Sequence, residues 1–84
     1  MGFLNSAKSD MLGKAAKEAH EKGRKVFTPF LNMPATQGNM SGPIDAWAEM
    51  IEAVEAEGWT LAEWSVGLDA KGKPQAYPLF RRAS

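Results

Sequence analysis

The sequence of 84 residues predicts an α+β fold with the order α-β-α-β-β, a three-stranded sheet packed with two helices in a single small domain. Three observations carry that prediction. An acidic amphipathic helix, residues 43–57, runs into the pair Gly58-Trp59. A stretch of β-formers from Trp59 leads to a tight turn, Asp69-Ala70-Lys71-Gly72. A return strand then ends at Phe80-Arg81-Arg82. At this size folding removes roughly 60–65% of the unfolded chain's surface, so the core is thin. Three Trp, four Phe and five Met supply much of it.

The first helix spans residues 6–22. Asn5 or Ser6 can cap it, and Leu4, Ala7, Met11, Leu12, Ala15, Ala16 and Ala19 recur at helical spacing until Gly23 stops it. Asp10 with Lys14, and Glu18 with Lys22, are i,i+4 pairs on the polar side. The inward stripe is mostly alanine, which suits close packing but supplies little hydrophobic energy. Gly13 inside it costs up to ~1 kcal/mol relative to alanine.

Residues 24–31 are rich in β-formers. Pro29 has no N–H for a ladder, which sends this strand to a sheet edge or a bulge. Residues 32–42 form a polar loop, longer than the usual ~4–6 residues. The second helix, 43–57, has Ser41 or Gly42 as its cap, Pro43 where a missing N–H costs nothing, and Asp45 near the positive end of the dipole. Ile44, Trp47, Ala48, Ile51 and Val54 form its apolar stripe, and Gly58 ends it in a left-handed conformation that brings Val54 and Trp59 together. The hairpin comprises strands 59–67 and 74–81. Its turn fits a type I turn followed by glycine in a left-handed bulge. Pro78 again argues for an edge, so 59–67 becomes the central strand. The expected strand order is 1-2-3, with the first strand parallel to the second through a right-handed crossover.

Charge is balanced overall but not along the chain. Residues 1–25 carry six basic and three acidic groups, residues 26–66 six acidic and no basic ones, and residues 67–84 four basic and one acidic. Ends and middle are therefore opposite in sign, which favours self-association. Cysteine is absent. That excludes disulfides, thiolate metal sites and cysteine nucleophiles, and fits a reducing compartment. No signal-peptide pattern and no run of ~20 apolar residues occurs, so the expectation is a soluble, cytoplasmic protein without membrane contact.

From about Val26 to Arg82 the pattern resembles a group of short bacterial domains of unknown function, of an actinobacterial or phage type. The residues that carry the resemblance are the helix Ala48 to Glu57, the strand start Gly58-Trp59-Thr60-Leu61 and the terminal Leu79-Phe80-Arg81-Arg82. The additional N-terminal helix departs from that pattern. The resemblance implies a fold and no catalytic residue.

Candidate chemistry is sparse. The one histidine, His20, falls on the polar border of the first helix, and its expected role is that of a surface residue. Neither a Gly-x-Ser-x-Gly elbow nor a phosphate-binding Gly-Lys-Ser/Thr follows any glycine. Asp45, Glu49 and Glu52 share one helix face, which reads as a solvated surface or a docking site for a basic partner rather than as a metal site. Lys73 and Arg81 are eight residues apart, ~26 Å along a strand, and form no compact nucleic-acid patch by themselves. The loose myristoylation match at Met1 to Ser6 and the basic Arg81-Arg82-Ala83-Ser84 are chance matches.

The expected function is a non-enzymatic binding or accessory module acting through protein–protein contacts, with a protein partner or a second copy, and without cofactor or metal. The alternative is a nucleic-acid-associated regulatory or phage factor using the first helix and the terminal arginines. The candidate interface residues are Trp64, Met33, Met40, Asp45, Glu49 and Glu52. Met33 and Met40 lie in the long loop and adapt to a partner's shape. Trp64 shares a strand face with Ala62 and Val66, opposite to Trp59, Leu61 and Glu63, and is expected either on a bare sheet face or in the core under the first helix.

Overall fold

The computed structural model describes residues 3–34 and 41–83, with side chains described from Ala7 onward. The elements are α1 (Phe3–Glu21), β1 (Val26–Phe27), β2 (Leu31–Asn32), α2 (Asp45–Glu55), β3 (Trp59–Leu68) and β4 (Pro74–Arg82). The α+β class is as expected, with two helices on an antiparallel sheet, but the sheet has four strands rather than three.

Prolines set both the count and the order. β1 pairs antiparallel with β4 through Val26↔Arg81 and Phe27↔Phe80, and β2 through Leu31↔Ala76 and Asn32↔Gln75. These two registers are one register, interrupted where it sets Pro29 opposite Pro78. The turn fixes the direction of each backbone group. Asp69 N–H donates to the Lys73 carbonyl across the hairpin at 2.8 Å. Alternation along β4 then points the backbone groups of Pro78 away from β3 and toward Pro29. Neither proline has an N–H to give, so that rung cannot form and the first strand splits in two.

The expected strand order is thereby corrected. β4 is central and β3 is an edge, and the first strand runs antiparallel to β4, with no parallel crossover. Pro78 is tolerated in a central strand because its missing donor faces the gap.

Both helices lie on one face of the sheet. α1 stops in a Schellman ending, with Arg24 N–H on the Ala19 carbonyl, Gly23 N–H on the His20 carbonyl, and Gly23 at φ +80°. α2 begins at Asp45 with Ile44 as its N-cap and no side-chain cap, two residues inside the expected start. Its last turn tightens to i→i+3 bonds from Glu57 and Gly58, and Gly58 turns the chain out at φ +92°.

Two buried clusters fill the space beneath. One joins Leu31, Ala46, Trp47, Met50 and Ala76; the other joins Ala16, Val54, Trp59 and Phe80. Trp47 Nε1 donates to the Asn32 carbonyl at 2.8 Å, and Trp59 Nε1 to the Ala16 carbonyl at 2.9 Å, so both buried indoles are satisfied. Met11 and Ala15, expected on the inner stripe of α1, face solvent, while Gly13 and His20 lie partly covered.

Gly13 sits where the helices meet. A β-carbon there would stand 3.6 Å from the Ala53 β-carbon and carbonyl oxygen, an ordinary contact distance. Its helical backbone is one that alanine also adopts. Gly13→Ala is therefore expected to raise stability by about 0.5–1 kcal/mol, through helix propensity and a less flexible unfolded chain. Urea denaturation checks this, and a destabilised variant would mean that the helices cannot accommodate the added methyl.

Candidate functional site

β3 changes phase partway along, and that change creates the site. Leu61 faces Phe80 but Glu63 faces Leu79, so Ala62 is a β-bulge. Before the bulge Trp59 and Leu61 point to the helices. After it the even-numbered residues do, because Trp64 faces Pro78, Val66 faces Ala76 and Leu68 faces Pro74. The bulge thus returns Trp64 to the side of the sheet that carries Trp59, and the expected opposition of the two is corrected. Strict period-two counting from Trp59 cannot anticipate one inserted residue.

The helix layer does not reach the far end of the hairpin. Trp64 touches Trp47 edge-on, ring centroids 5.8 Å apart, and is still 49% exposed. Beyond it Val66 is 55% and Leu68 68% exposed. These three side chains form an apolar row along a strand that pairs, among the described residues, with β4 alone. From the same hairpin alternation, the N–H and C=O groups of Trp64, Val66 and Leu68 point to the free edge, whereas those of Glu63, Ser65 and Gly67 point to β4. Side chains and backbone of the same residues are presented together.

The two ends of this edge differ in charge. Glu63 lies near its start, where the Glu55 carboxylate also stands 3.5 Å from the Leu61 amide. Lys71 and Lys73 lie in the turn at its end. Asp69 is turned back on that turn and accepts from the amides of Lys71 and Lys73 at 2.9 Å each. The Lys73 and Lys71 amides hold its carboxyl below the ordinary aspartate value. On the opposite sheet face Tyr77 lies over Gly67, where an added β-carbon would meet its ring at 3.4 Å.

The remaining candidate residues are not gathered there. Asp45 and Glu52 are exposed and Glu49 half-buried on the outer side of α2. Among the described residues no group of three or more His, Asp or Glu converges as a metal site would require. Met33 is half-buried and packs against the first core cluster, and Met40 lies outside the described residues.

His20, expected as a surface residue, belongs to a second constellation. Its ring stands edge-on to Trp59 with centroids 5.7 Å apart, and its Nε2 is 3.0 Å from Arg82 Nη1. A guanidinium only donates, so Nε2 is the acceptor of this pair. Arg82 also donates Nη2 to the His20 carbonyl and Nε to the Arg24 carbonyl, each at 2.6 Å, and lies over the Trp59 ring. It closes the end of α1 onto β4. No local pattern in the sequence marks a pair 62 positions apart.

No family model, curated protein or solved structure matches this chain. Among the described residues no helix is long and apolar enough to cross a membrane.

Proposed function

We propose that this chain is a non-enzymatic binding or accessory module that works through protein–protein contacts, and that its recognition surface is the free edge of β3. One observation carries the reading: Trp64, Val66 and Leu68 leave apolar side chains and backbone hydrogen-bonding groups exposed on the same edge. Natural proteins blunt free edges with charged residues, proline, bulges or very short strands, and on this edge the bulge at Ala62 and the charge of Glu63 stop short of Trp64. Residues 63–68 contain neither lysine nor proline. Strand addition suits this edge, with backbone bonds giving affinity and alternate side chains giving specificity. The resemblance to short bacterial and phage domains and a cytoplasmic location belong to the same reading. Met33, Asp45, Glu49 and Glu52 take secondary places in it, away from the edge.

Position-specific cross-linking tests the proposal. A photo-reactive residue at Leu68 is expected to capture another protein chain in a lysate of the source cell, whereas the same residue at Lys25, beside the opposite edge, does not. Equal labelling at both positions would overturn the reading.

A further inference from the structure

We infer that the occupant of the β3 edge is a second copy of this chain, its β3 paired antiparallel about a two-fold axis through Val66. This rests on the reading of that edge as the binding surface and names what binds there.

Three features of the edge agree on this register. The first is backbone direction. Val66, Trp64 and Leu68 direct their N–H and C=O groups outward, and antiparallel residues exchange two hydrogen bonds only when both present their groups to each other. With the axis at Val66, Val66 meets Val66 and Trp64 meets Leu68 of the second copy, so each outward-facing residue opposes another outward-facing one, and the inward-facing Ser65 opposes Gly67 as the non-bonded pair between them. Shifting the register by one residue would set outward-pointing groups opposite inward-pointing ones.

The second is the apolar row. The same register lays Trp64 against Leu68 of the second copy, Val66 against Val66, and Leu68 against Trp64. The row, open in one chain, becomes continuous across two. Aromatic and β-branched neighbours of this kind are the stabilising cross-strand pairs of sheets.

The third is charge. An edge that is acidic at its start and basic at its end is complementary to itself only when the two copies run in opposite directions. In this register the turn of the second copy, with Lys71 and Lys73, comes to the start of the edge, where the Leu61 amide donates to the Glu55 carboxylate at 3.5 Å and Glu63 lies. Glu63 itself faces Asp69 of the second copy, but that carboxylate is folded onto its own turn by two amide bonds. A basic foreign strand would satisfy Glu55 and Glu63 and leave Lys71 and Lys73 without a counterpart.

Two measurements on the wild-type chain and two variants test the inference. Sedimentation between about 10 µM and about 1 mM, the range of weak association, is expected to show the mass rise from one copy to two. Over the same range, amide exchange at Trp64, Val66 and Leu68 is expected to slow by about tenfold, while Glu63, Ser65 and Gly67, already bonded to β4, do not change. Val66→Pro removes an outward N–H that the single chain does not use, and Val66→Lys sets two like charges on the axis. Either variant is expected to stay monomeric throughout with unchanged far-UV circular dichroism. Should Val66→Pro fail to fold, Val66→Lys alone decides. A mass of one copy at every concentration, or slowed exchange absent at the three outward amides, overturns the second copy as occupant. If the cross-linker at position 68 still captures a foreign chain, the binding edge survives and only its occupant was misassigned. If it captures nothing, both fall.

Discussion

Replacing Trp59 by alanine is expected to remove about 3–5 kcal/mol of stability at 25 °C. The side chain is 1% exposed and stands where α1, α2, β1 and β4 meet. Its indole N–H holds the Ala16 carbonyl, its ring packs against Phe27 and His20, and the Arg82 guanidinium lies 5.6 Å from its ring centroid. Truncating a buried tryptophan costs about 3–5 kcal/mol. A chain of this length has only about 4–13 kcal/mol of stability in total. The loss thus consumes a large share of the whole even before Arg82 loses its aromatic partner. Trp59→Phe keeps most of the volume and removes the N–H, and should cost about 1–2 kcal/mol. Urea titration followed by the fluorescence of Trp47 and Trp64 separates the two variants. A Trp59→Ala chain as stable as Trp59→Phe would show that the second cluster is not the core of the domain.

Gly58→Ala is expected to be the most damaging glycine substitution among the described positions. Two penalties meet there. At φ +92° any β-carbon is strained, at about 1–2 kcal/mol. That carbon would also lie 2.8 Å from His20 Nε2, closer than packed atoms come. A side-chain tip can usually move aside, but this imidazole is held by Arg82 and pressed edge-on against Trp59. Overpacking of this kind adds about 1–3 kcal/mol. Gly23 separates the terms, because it too has positive φ but has nothing within 4 Å of the added carbon. Gly58→Ala should therefore cost clearly more than Gly23→Ala, and adding His20→Ala should recover the steric part. Equal costs at Gly58 and Gly23 would mean that the imidazole yields freely.

Local patterns in the sequence carry the helices, the Gly58 stop and the Asp69–Gly72 turn, because each depends on residues a few positions apart. The sheet order depends on where two prolines meet across strands. Pro29 and Pro78 each argue for an edge when taken singly; together they share one missing rung and leave β4 free to be central. The exposure of Trp64 was legible but not its facing, since one extra residue at Ala62 inverts the alternation. The His20–Arg82 clasp was not legible at all, because nothing near either residue announces the other.

The interrupted strand opposite β3 also sets how large an assembly can become. Sheets with two usable borders add chains at both and polymerise without limit. Here one border consists of two-residue segments, β1 and β2, separated by a proline, and offers an incoming strand no continuous ladder. On the reading of β3 as the accepting edge, the other border is the one that takes a strand, and a single addition exhausts the capacity for growth. If a second copy occupies the β3 edge, the assembly closes at two, and raising the concentration populates pairs rather than fibres.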